Sequence, residues 1–108
     1  MPPTQSMAKG DTGPDLEATV LKPDGTVQDL TGATGTWSMV NAETKTPKVT
    51  AGAATIPSPP TQGKIQYPWV AADTDTAGVF EGRFKVTLSG GDVVMWPNDG
   101  FIYVVVID

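Results

Sequence analysis

Val79-Phe80-Glu81-Gly82-Arg83-Phe84-Lys85-Val86-Thr87-Leu88 decides the fold class. Phe80, Gly82, Phe84, Val86 and Leu88 alternate with Val79, Glu81, Arg83, Lys85 and Thr87. A period of two sets one group on each face of a strand, one dry and one wet. Ser89-Gly90-Gly91-Asp92 follows. Its glycines accept the positive φ of a tight turn, so Val93 to Trp96 is expected to pair back as a hairpin.

Outward from this hairpin the same pattern repeats in shorter pieces. Leu16, Ala18 and Val20 alternate with Glu17 and Thr19, and Pro23-Asp24-Gly25 is a turn, after which Val27 and Leu30 return toward the core. Gly32 to Val40 predicts a strand with Trp37 and Met39 on one face. Val49 leads another into Ala51 to Ile56, and Pro57-Ser58-Pro59-Pro60 is a surface connection. Lys64 to Val70 points Ile65, Tyr67 and Trp69 one way, with Pro68 marking an edge strand or a bulge. Ala71 to Gly78 is the one plausible helical turn. Pro97-Asn98-Asp99-Gly100 turns into a last strand, Phe101 to Ile107, which is apolar on both faces and so expected to be covered on both. The polar, Pro- and Gly-rich residues 1–15 read as an N-terminal arm, with residues 16–108 as one domain. Seven or eight short strands at this spacing predict an all-β, immunoglobulin-like antiparallel β-sandwich.

Composition narrows the chemistry. The chain has 108 residues, 12 Gly and 10 Pro, with no Cys and no His. That excludes imidazole relays, thiol nucleophiles, disulfides and thiolate zinc sites. The net charge is −5, and the seven basic residues never form a run, which argues against nucleic acid and anionic membranes as partners. No segment reads as a secretory signal or a membrane span.

Three stretches then resemble a known family when taken together: Gly10-Asp11-Thr12-Gly13-Pro14, Asp29-Leu30-Thr31-Gly32-Ala33, and the block from Tyr67 to Tyr103 with DTDTAG before one strand and PNDG before the last. This ordered set resembles the immunoglobulin-like N-terminal domain of phage baseplate upper proteins, a family that also occurs as small tail or virion proteins. The resemblance covers about Gly10 to Ile107. It implies a non-enzymatic structural module of a virion, assembled in the host cytoplasm without cofactors. Its partners would be other virion proteins and further copies of itself. The family often has Tyr where this chain has Phe80, so a hydroxyl bond at that corner is not expected here.

Candidate sites are few. Asp73 and Asp75 could offer carboxylates to Ca²⁺, but D-x-D lacks the other ligands of a calcium loop, and local turn capping explains both. Asp11, Asp92 and Asp99 could join them at one end of the sandwich as a carboxylate-dependent hydrolase, though they too suit turns. Trp37, Trp69 and Trp96 could stack a sugar, which makes a glycan-binding module for the host surface the alternative function. Trp37 and Trp69 fall on the core face, leaving Trp96 near a strand end. The expected interface residues are Trp96 together with Phe101, Tyr103 and Val105 on one face of the last strand.

Overall fold

The computed structural model describes residues 4–13, 15–97 and 100–108. Among them the strands are β1 (Thr4–Ala8), β2 (Leu16–Thr19), β3 (Thr34–Asn41), β4 (Pro47–Ala54), β5 (Lys64–Tyr67), β6 (Gly78–Thr87), β7 (Val93–Trp96) and β8 (Ile102–Ile107). The larger sheet has the order β1-β8-β6-β3-β4, with β7 also on β6, and β2 and β5 form a small antiparallel sheet. The result is an all-β sandwich.

The alternation that defines β6 is realised on its inward face, while on the outward face Glu81 is buried as well. Phe80, Phe84 and Val86 are buried, while Val79 and Lys85 are exposed. The Gly90-Gly91 turn pairs β7 back against Phe84–Thr87, and β8 takes up the same side of β6 from Gly82 to Gly78. On the other side β3 pairs along the full strand, setting Trp37 opposite Phe84. The core joins these residues to Met39, Ile102, Val104 and Val106 from the large sheet and to Leu16, Ile65, Tyr67 and Trp69 from the other side.

Gly82 marks the tightest approach between the strands and the Trp37 ring. A Cβ there would lie 2.6 Å from the Ser38 carbonyl oxygen and 2.6 Å from the Trp37 ring. Backbone on one side and a packed indole on the other leave no room to adjust. Gly82→Ala is expected to cost about 1–3 kcal/mol, read as a lower urea midpoint at unchanged slope.

Five sequence expectations are corrected. Thr4–Ala8, expected within an arm, is a strand; it pairs in parallel with β8, from Thr4 beside Tyr103 to Ala8 beside Ile107. That pair makes the larger sheet mixed where alternation alone suggested antiparallel pairing. Val27 does not return to the core: it bridges Leu21 and stays 42% exposed, while Leu30 is buried. β5 stops at Tyr67, because Pro68 cannot donate to a ladder, yet Trp69 keeps its inward position. Lastly, β8 is covered on one face only: Ile102, Val104 and Val106 are buried, but Phe101, Tyr103 and Val105 are half-buried and Ile107 is 58% exposed.

Thr55 and Gln66 exchange two backbone hydrogen bonds of 2.8 Å, so the chain leaving β4 crosses to β5 and shuts one side of the sandwich. The opposite side lies between β1 and β2.

Candidate functional site

The motifs that carry the family resemblance are occupied with holding turns. Asp29 Oδ1 accepts from the Thr31 amide at 2.9 Å and its hydroxyl at 2.6 Å. Asp24 does the same for Thr26 at 3.0 and 2.6 Å. These bonds, from hydroxyl first and amide second, hold both carboxyls below the usual carboxylate range. The GDTG and DTDT segments meet: the Gly10 amide donates to the Thr74 carbonyl at 2.9 Å. The buried Thr74 hydroxyl donates to the Asp11 carbonyl at 2.8 Å. Asp11 Oδ2 also accepts the Ala8 amide, so β1 is tied to the turn that precedes β6.

The two carboxylates of DTD serve different partners. Asp73 is buried, and its Oδ2 accepts the Tyr67 hydroxyl at 2.7 Å and the Val70 amide at 3.0 Å. Asp75 is exposed and pairs with Lys48, whose ammonium, followed by the Thr76 hydroxyl, keeps its carboxyl below the ordinary range. Among the described residues no group of three or more Asp, Glu, His or Cys lies placed to hold a metal ion. Asp99, the remaining candidate carboxylate of the last turn, lies outside the described residues. Tyr67 thus supplies the corner bond that Phe80 cannot make. Burial first, and the adjoining Asp73 second, raise the Tyr67 pKa well above its usual value.

The tryptophans divide as their strand positions require. Trp37 and Trp69 are buried, with rings 6.3 Å apart and edge-on, so a three-tryptophan sugar platform does not form. Trp96 sits opposite Phe84 in the ladder and therefore on the inward face. It is half-buried at a groove of about 250 Å³ on the open side, lined with Leu16, Ala18 and Ile102 and rimmed by Glu17 and Thr19.

The four expected interface residues do not share one surface. Phe101, Tyr103 and Val105 lie together on the outward side of the large sheet, and Trp96 stands apart on the groove. The outward group is larger than expected. Val79 is 45% exposed and pairs with Val105, and Ile107 extends the row. The Arg83 guanidinium carbon lies 4.7 Å from the centre of the Phe101 ring, and its Nε–H donates to the Gly100 carbonyl at 2.8 Å. Glu81 pairs with Tyr103 in the ladder, is almost fully buried and accepts from the Lys45 ammonium at 2.6 Å. Sequence reading passed over Val79, although one signal was present: it is an apolar residue at an outward position whose next neighbours on that face are Glu81, Arg83 and Lys85.

No protein-family model matches the chain, and no curated protein does.

The geometry therefore speaks for itself. The polar side chains of the turns are engaged in local bonds, and Val79 and Ile107 are exposed on the outward face of the large sheet.

Proposed function

We propose that the protein is a non-enzymatic structural component of a phage virion, in the tail, the baseplate or on the particle surface, where it acts as an assembly and docking module. The observation that supports this reading is the outward apolar row of Val79, Tyr103, Val105 and Ile107 beside Phe101. Exposed apolar patches on a sheet are where soluble β-proteins meet partners. Two of the three tryptophans that a glycan-binding module would use are in the core, which weighs for assembly over host-glycan binding. The resemblance of the GDTGP, DLTGA and DTDTAG…PNDG set supplies the virion context.

The test is peptide mass spectrometry of purified particles from the phage that encodes the chain. The chain is expected in the particle at a fixed ratio to the other structural proteins. Finding it only in the soluble fraction of the lysate overturns the proposal.

A further inference from the structure

We propose that the outward face of β6 and β8 docks onto the acidic back of a second copy of this chain, head to tail. The inference rests on the assembly reading above and names a partner for it. The centre of the face is Val79, Tyr103, Val105 and Ile107. Its charged neighbours are Arg83 and Lys85 on β6 and Glu43 beside Val79, with Glu81 neutralised by Lys45. Among the described residues, Lys45, Arg83 and Lys85 against Glu43 and Glu81 leave this face at +1.

Charge decides the partner surface. Pairing the face with its own copy would set Arg83 and Lys85 against their equivalents around an apolar centre, a like-charge arrangement that costs affinity. The opposite side of the sandwich supplies the complement. Glu17 is exposed on β2 of the small sheet, and Asp15, Asp24 and Asp29 are exposed in the segments that flank it, against Lys22 and Lys64. Thr26 and Thr31 keep two of those carboxylates ionised. One surface meeting a different surface is a heterologous contact, which continues into a ring or an open stack rather than stopping at two.

Sedimentation velocity with light scattering over a concentration series tests this, at ~0.01 M and ~1 M salt, where the screening length falls from ~30 Å to ~3 Å. At low salt the mass is expected to pass the dimer and grow with concentration, with association falling about tenfold or more at high salt. Val79→Asp blocks the face and Asp15→Lys with Glu17→Lys blocks the back, so each variant alone stays monomeric. Mixed in equal amounts, they form 1:1 dimers and nothing larger, since each brings one intact surface. Lys85→Glu, with its side chain in solvent, repeats the face test should Val79→Asp lose its circular dichroism spectrum.

A monomer at every concentration in low salt overturns the inference. So does a dimer that stops at two and persists in all the variants. Either result leaves the virion reading standing, because the particle measurement tests that separately.

Discussion

Trp37→Ala is expected to remove about 3–5 kcal/mol of folding stability, a large share of the roughly 5–15 kcal/mol that holds a domain together. Trp37 is fully buried, and the rings of Phe84, Trp69 and Tyr67 lie 4.8, 6.3 and 6.4 Å from its own. The indole thus joins β6 of the large sheet to the Tyr67–Trp69 segment opposite. Strands locked in hydrogen-bonded ladders on both sides of Trp37 cannot collapse into the space its removal leaves. Trp37→Phe separates volume from polarity. Among the described residues the buried Trp37 indole N–H has no acceptor, so Phe loses packing but relieves an unpaired donor. Its cost should fall well below that of Ala. Urea unfolding followed by far-ultraviolet circular dichroism reads both variants without relying on the fluorophore being replaced. An Ala variant within about 1 kcal/mol of the parent would mean that this cluster does not join the sheets.

The second large effect is expected at Asp73. Asp73→Ala strands both the Tyr67 hydroxyl and the Val70 amide in a buried corner, at a cost of about 2–3 kcal/mol. Tyr67→Phe removes the hydroxyl instead and leaves Asp73 with the Val70 amide, for about 1 kcal/mol. The pair also predicts a pH dependence. Folding raises the Tyr67 pKa. The stability this contributes is therefore complete below the unfolded value of about 10 and is lost as pH rises beyond it. The parent protein should weaken as pH climbs above about 10, and Tyr67→Phe should flatten that limb. Urea midpoints measured from neutral to strongly alkaline pH decide it; equal slopes in parent and variant would place the alkaline loss elsewhere.

Much of the fold was legible because β-structure writes a local code. The inward positions of Trp37, Met39, Ile65, Phe84 and Val86 follow from alternation with their immediate neighbours, and Asp24-Gly25 and Gly90-Gly91 mark turns through backbone freedom at single residues. Trp69 was readable as core for the same reason. The candidate site was only half legible. Phe101, Tyr103 and Val105 were found because a strand apolar on both sides is unusual. Trp96 was grouped with them by nearness in the chain, whereas its ladder partner Phe84 places it on the other face.

Apart from β1, sequence alone determined which segments become strands, which side chains most of them turn inward, and where the chain reverses. These depend on sterics and hydrogen bonds among residues a few positions apart. Only the tertiary structure decided that β1 lies in parallel beside β8, nearly the whole chain away. It also showed that Asp73 serves Tyr67 rather than Asp75, and that Val79 completes the apolar row of β8. Backbone ladders form between any strands of suitable length and carry no side-chain label for their partner. Which edges meet, and what surface remains outside, is settled by packing the whole core at once.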